Sequence, residues 1–81
     1  MFYIYVIFSE KVCKKYTGHT EDIETRLIQH NLGLLGVYTK NKGPWSLIYK
    51  EEFETRSEAI AREKFLKSGK GRDFIKSQTG Y

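Results

Sequence analysis

Aromatic and β-branched residues fill Phe2–Phe8 (FYIYVIF) without a polar break, which predicts a strand buried on both faces and central in its sheet. Ser9-Glu10-Lys11 is a polar turn, and Val12–Gly18 (VCKKYTG) resumes strand character, so the two segments predict a hairpin. Thr20 is the candidate N-cap of a helix from Glu21 to about Asn31. Glu21 and Asp22 suit its positive end, Ile23, Leu27 and Leu34 recur near helical spacing, and Gly33 or Gly36 ends it. Gly36–Pro44 (GVYTKNKGP) reads as an exposed basic loop. Trp45–Phe53 predicts a third strand, with Trp45 as core. Thr55-Arg56-Ser57-Glu58 has the capping-box pattern and opens a second helix that runs to about Lys67. Gly69-Lys70-Gly71 reads as a break, Arg72–Lys76 as a last short helix, and Ser77–Tyr81 as a frayed end.

The resulting order, β-β-α-β-α-(α), predicts an α+β fold: a three-stranded, mostly antiparallel sheet flanked by helices. The 81 residues predict a single domain, 1–81. Its thin core argues against a deep chamber and for a shallow cleft at the core's edge.

Charge narrows the picture. Lysine and arginine outnumber the acids 14 to 10, for a net charge of +4. That fits a polyanionic partner such as DNA or RNA, although many small proteins are this basic without binding one. Cys13 is the lone cysteine, so neither an intramolecular disulfide nor a cysteine-based zinc site can form, and a reducing cytoplasm is the expected location. No secretory pattern is present, and no stretch approaches the roughly 20 apolar residues of a membrane span.

Taken singly, the residues with chemical potential are ambiguous. Arg26 and His30 are four apart and share a helical stripe that borders Ile23 and Leu27. An arginine there can aim a planar fork at a phosphate, yet most helical arginines are solvated. Ala59, Glu63 and Leu66 follow i, i+4, i+7 spacing, which leans Glu63 inward. Buried carboxylates are paired or metal-bound, and an i, i+4 pair with Lys67 is the plainer alternative. Tyr3 and Tyr5 share one strand face and Tyr16 lies on the next strand. Strand tyrosines are usually core rings with an outward hydroxyl.

In combination these residues resemble the GIY-YIG nuclease superfamily. The first motif stands here as Tyr3-Ile4-Tyr5 and the second as Tyr16-Thr17-Gly18. Arg26 follows eight residues after that glycine, in Thr25-Arg26-Leu27-Ile28-Gln29-His30-Asn31, and Arg56–Lys67 is similar to the family's metal-glutamate helix. Tyr3 replaces the glycine of the family name and Thr17 its isoleucine, whereas Tyr5, Tyr16 and Gly18 are in place. The resemblance spans about Phe2 to Lys67 and is greatest to short stand-alone members, which are similar to the nuclease domain of the nucleotide-excision-repair incision subunit.

What the resemblance implies is an endonuclease that hydrolyses phosphodiester bonds of DNA, with branched, damaged or nicked substrates as the candidates. Glu63 is the implied sole protein ligand of one Mg²⁺ (or Mn²⁺) ion, a sparse coordination that Mg²⁺ tolerates. Arg26 is implied to hold the scissile phosphate, Tyr16 to act as general base and Tyr5 to position the attacking water. A free tyrosine, with a pKa near 10, is a poor base at neutral pH and needs a metal or a cation beside it. Lys14 and Lys15 flank Tyr16, and His30 is the competing base on pKa grounds. Gly18 is expected to allow a close backbone approach. Lys14, Lys15, Lys40, Lys42, Lys67, Lys70 and Arg72 are the candidate nucleic-acid contacts. No second DNA-binding domain is recognised, so the alternatives are a non-enzymatic nucleic-acid-binding module or a subunit activated by a protein partner that supplies targeting.

Overall fold

The computed structural model describes residues 1–36 and 38–81. Val37, within the expected loop, lies outside the described residues. The elements are β1 (Phe2–Ser9), β2 (Lys14–Thr20), α1 (Ile23–Asn31), β3 (Ser46–Phe53), α2 (Arg56–Lys67) and α3 (Gly69–Thr79). The strands form one antiparallel sheet in the order β2-β1-β3, so β1 is central, as its unbroken apolar run predicts. This is the anticipated α+β arrangement. Among the described residues no helix is long and apolar enough to cross a membrane.

Register decides what each face of the sheet carries. Ile4 faces His19 and Val6 faces Thr17 across β1–β2, while Tyr5 faces Gly18 and Ile7 faces Tyr16. Directly opposed residues share a face. Ile4 and Val6 therefore pack with Ala59, Leu66 and Ile75 from α2 and α3, all at most 2% exposed. Tyr5 and Ile7 pack on the other side with Trp45, closed by Tyr16, Ile23 and Leu27. Between Val6 and Ile7 the β1–β3 register slips by one residue, leaving Ile48 as a bulge.

Local chemistry moves several boundaries from their expected places. Thr20 pairs with Tyr3 as the last rung of β2, so it cannot cap α1. Asp22 caps instead: its carboxylate accepts from the Thr25 backbone N–H at 3.1 Å and from the Thr25 hydroxyl at 2.7 Å. Ser9, expected in a turn, is the buried end of β1, and its hydroxyl donates to the Lys42 carbonyl. Trp45 is core, as read, but β3 starts one residue later, because the Trp45 backbone is bonded to the Asn31 side chain. The capping box of α2 is present, with Thr55 and Glu58 bonded reciprocally.

The largest departure is α3. Gly69-Lys70-Gly71 does not break the chain into loop; it forms the helix's first turn, capped by the Ser68 side chain, which accepts from the Gly71 N–H at 3.2 Å. A Cβ on Gly71 would stand 2.0 Å from the Phe65 carbonyl oxygen and 2.4 Å from the Leu66 Cα. The glycine serves the close approach of α3 to the end of α2, not flexibility. Helix α3 continues to Thr79, and Tyr81 packs at a tilt against Phe8 with ring centroids 4.6 Å apart, so the expected frayed end is packed.

Candidate active site at the edge of β2

Tyr5 projects from the central strand over its neighbour in β2. A Cβ on Gly18 would lie 2.6 Å from the Tyr5 hydroxyl oxygen and 2.8 Å from its Cζ. Gly18 thus leaves room for a phenol ring, which corrects the expectation of a close backbone approach at the strand-to-helix turn. The Tyr5 hydroxyl is 2.8 Å from His30 Nε2, and His30 Nδ1 is 2.9 Å from the Thr39 hydroxyl. Thr39 is fixed in turn, because its carbonyl accepts from Trp45 Nε1 at 3.1 Å. A chain of hydrogen bonds from the loop before β3 therefore aims the Tyr5 hydroxyl.

His30 is 2% exposed. Both its nitrogens are engaged, so it has neither a free lone pair nor contact with water. The competing role of His30 as the base that takes a proton from water does not fit this placement; it holds Tyr5. Burial, reinforced by the Arg26 charge, keeps its pKa below the ordinary histidine value. A neutral imidazole donates from one nitrogen and accepts at the other, and its tautomer sets the direction of the whole chain. Burial, first of all, and then the neighbouring Tyr16 and Glu63 push the Tyr5 phenol well above the ordinary tyrosine range, with Arg26 opposing them. Tyr5 is therefore a protonated phenol at neutral pH.

Tyr16 differs from Tyr5 in access. It is half-buried and its ring packs against His30 at 4.9 Å, Tyr38 at 5.5 Å and Tyr5 at 6.4 Å between centroids. The cation over the Tyr16 ring, 6.0 Å from its centroid, is Lys67 of α2. Among the flanking lysines, Lys15 turns away to donate to the Tyr81 carbonyl at 2.7 Å. Arg26 is half-buried beside these groups, and among the described residues its side chain has no hydrogen bond or ion pair.

Glu63 approaches from α2: its partner Lys67 stands over the Tyr16 ring, and its charge is felt at the Tyr5 phenol. Its side chain is 17% exposed, with Oε1 2.5 Å from His19 Nδ1 and Oε2 2.7 Å from Lys67 Nζ. Burial alone raises its pKa, but the hydrogen bonds and charges of Lys67 and His19 outweigh it and hold the carboxyl below its ordinary value. A carboxylate that already seats an ammonium at hydrogen-bond distance fits a small cation. Among the described residues no three His, Cys, Asp or Glu side chains cluster as a closed metal cage. A divalent ion at Glu63 therefore has to tolerate water and phosphate oxygens in most of its positions, as Mg²⁺ does.

Beside Tyr16 opens a cleft of about 630 Å³ whose rim carries Lys14, Lys15, Lys67 and Arg72 and no carboxylate. Arg72 is anchored there by a 3.3 Å bond to the Lys67 carbonyl. Lys42 reaches this rim indirectly, 4.8 Å over the ring of Tyr38. Lys40 and Lys70 are exposed and do not line the cleft. Of the residues singled out in the sequence, Tyr5, Tyr16, Arg26, His30 and Glu63 come together, with four of the seven candidate cations beside them. Two participants carried no sequence signal. His19 is an unremarked strand residue until register and α2 bring it to Glu63, and Thr39 sits in a turn-rich loop.

Comparison with known proteins gives a consistent result. The GIY-YIG catalytic domain family matches residues 1–76. A UPF0213 protein of Staphylococcus saprophyticus is 45% identical over 69 residues, covering 82% of this chain and 79% of its own length. A UPF0213 protein of Staphylococcus haemolyticus is 39% identical over 69 residues, with the same coverage of 82% and 79%. The solution structure of a UPF0213 protein from Bacillus halodurans superposes with a TM-score of 0.58 at 29% identity, covering 99% of this chain and 87% of that one.

Proposed function

The chain belongs to the GIY-YIG family, and on that premise we propose that it is a divalent-metal-dependent endonuclease hydrolysing phosphodiester bonds of DNA. One observation carries the reading: half-buried Arg26, whose side chain has no partner among the described residues, lies within electrostatic reach of Tyr5, as do Tyr16 and Glu63, and Tyr16 lines a basic cleft. Leaving a cation unpaired in a partly desolvated place is costly unless an anion arrives.

Phosphodiester hydrolysis needs an aligned water, an acceptor for its proton and compensation of the charge that builds on phosphate. The Arg26 fork binds the scissile phosphate through two oxygens. Tyr16, the tyrosine with access to the cleft, takes the proton of the attacking water. Tyr5 stays protonated and holds that water in line, its own direction set by His30 and Thr39. Glu63 would hold a single divalent ion, which would supply stabilisation for the leaving 3′ oxygen. Lys14, Lys15, Lys67 and Arg72 hold flanking phosphates without reading sequence.

The test is cleavage of supercoiled plasmid and of duplex, nicked, branched and single-stranded oligonucleotides, with Mg²⁺ or Mn²⁺. Glu63→Ala, Arg26→Ala and Tyr16→Phe are each expected to slow cutting by about a hundredfold to a thousandfold, the scale of losing one transition-state contact. Because the Arg26 side chain has no partner among the described residues, Arg26→Ala is expected to leave folding stability within about 0.5 kcal/mol. Equal trace nicking by wild type and Glu63→Ala overturns the proposal.

A second reading rests on a specific feature: both oxygens of Glu63 are already taken by protein side chains, His19 and Lys67. A module that binds DNA without cutting it, or that cuts only with a partner, has this self-satisfied carboxylate. It is distinguished by salt-dependent DNA binding that survives Glu63→Ala and Tyr16→Phe while no cleavage is seen.

A further inference from the structure

His19 enters the site from an unexpected side. It faces Ile4 across the β1–β2 ladder, so its side chain leaves the sheet on the face that α2 covers. There it meets Glu63, one turn along α2 from buried Ala59, with Nδ1 2.5 Å from Oε1. We infer that His19 is a second protein donor to the cation held by Glu63, and that the centre consequently prefers a first-row divalent transition ion of the Mn²⁺ type over Mg²⁺. This rests on the reading of Glu63 as a metal-holding carboxylate.

Donor chemistry is the first argument. Mg²⁺ takes oxygen ligands and gains little from an imidazole, whereas nitrogen donors favour first-row transition ions. A single carboxylate does not discriminate between the two classes; a carboxylate with an adjacent imidazole does.

Geometry is the second. Two neighbouring donors on one octahedral ion, each at about 2.1 Å, stand roughly 3 Å apart. The His19 Nδ1 and Glu63 Oε1 atoms, 2.5 Å apart, stand within about half an ångström of that span. Opening the pair requires only a rotation of the Glu63 side chain, since His19 is fixed by its strand pairing. As a ligand through Nδ1 the imidazole carries its proton on Nε2. Among the described residues Nε2 makes no hydrogen bond, and the side chain is 31% exposed, so water can serve it.

Charge is the third. Lys67 neutralises the other oxygen of Glu63 from a long, half-exposed stem that also lines the basic cleft. It can leave for that cleft when a divalent cation arrives. With only two protein donors, the remaining coordination positions are open to water and phosphate, as hydrolysis at this site requires.

The experiment is electron paramagnetic resonance of the full chain titrated with Mn²⁺, with Mg²⁺ as competitor, on wild type, His19→Gln and Glu63→Gln. Wild type is expected to hold Mn²⁺ against a tenfold excess of Mg²⁺ and to show electron spin-echo modulation from a directly bound ¹⁴N. His19→Gln should lose that modulation and bind Mn²⁺ at least about tenfold more weakly, the low end of what even an outer partner of a metal ligand is worth, with Mg²⁺ affinity changed less than twofold. Selective ¹⁵N-histidine labelling of the wild type checks the same ligand without a substitution, through replacement of the ¹⁴N pattern. Modulation that is absent in wild type, or unaltered in His19→Gln, overturns the role of His19 while leaving Glu63 in place. Mn²⁺ binding that is indifferent to Glu63→Gln overturns the reading on which it rests.

Discussion

On one face of β1, Ile4 and Val6 meet Ala59, Leu66 and Ile75 in an aliphatic core without a buried polar side chain. On the other, Tyr5, Ile7 and Trp45 share their space with buried His30, Thr39 and Ser9, each hydrogen-bonded. The first face is held by non-directional burial, which tolerates small shifts. The second is held by directed bonds whose geometry is fixed and whose loss leaves dry polar atoms behind. This division suits the proposed chemistry. The aliphatic face anchors α2 and with it Glu63, whereas the polar face fixes where the Tyr5 hydroxyl points.

Substitutions should separate the two faces. Leu66→Ala, a truncation in the aliphatic core, is expected to cost about 2–5 kcal/mol in urea unfolding. Its effect on cutting should be small at temperatures where the fold persists, since Leu66, although it lines the cleft, makes none of the directed bonds that aim Tyr5. His30→Leu comes close to the volume but strips the Tyr5 and Thr39 hydroxyls of their partner, at about 1–3 kcal/mol for each group left unsatisfied. Here cleavage should fall much further than stability predicts. If both variants lose activity only in proportion to their unfolding, the two faces do not differ in function. Gly18→Ala tests the border between them. Its new methyl group would overlap the Tyr5 ring, so the ring must shift, at about 1–3 kcal/mol for overpacking. Loss of the Tyr5–His30 bond, followed through the His30 ring signals in NMR, should accompany loss of cutting. An unchanged His30 signal would show that the ring has found room and that Gly18 is not what places Tyr5.

The aliphatic face was the legible one. The apolar run of Phe2–Phe8 identified the central strand, and the spacing of Ala59, Glu63 and Leu66 identified the inward side of α2, because periodicity records burial directly. The polar face was legible only in part. Tyr5, Tyr16, Arg26 and Glu63 stood out through their joint spacing, but Thr39 and His19 are brought in by a loop and by cross-strand register, which no local pattern encodes. Gly71 misled for a related reason. Glycine signals either freedom or close approach, and only the neighbouring helix distinguishes them. Asp22 displaced Thr20 as cap because Thr20 was already committed to the ladder with Tyr3, a tertiary demand that overrode local preference.

The aliphatic face also carries a polar lock outside the site, and it gives the smallest and most pH-specific prediction. Arg62 grips Glu51 with two bonds, Nε to Oε1 at 2.8 Å and Nη2 to Oε2 at 3.0 Å, while its guanidinium stacks 4.9 Å from Phe65 and 5.0 Å from Phe74. This joins β3 to α2 and α3 outside the site. Burial works against the Glu51 charge, but the bonds from Arg62 and Tyr49 and the Arg62 charge prevail and hold the carboxyl below its ordinary value of 4.5. A folded-state pKa below the unfolded one means that the contribution is complete above the ordinary value and drains away as pH falls through the folded one. Since both side chains are partly exposed, Glu51→Gln is expected to cost only about 1 kcal/mol at pH 7. That deficit should shrink below pH 4.5, until wild type and variant unfold together in acid, while cleavage at neutral pH is unaffected. A deficit that stays constant down to pH 2 would mean that packing of the Arg62 guanidinium against the two phenylalanines, not the charge of Glu51, makes the lock.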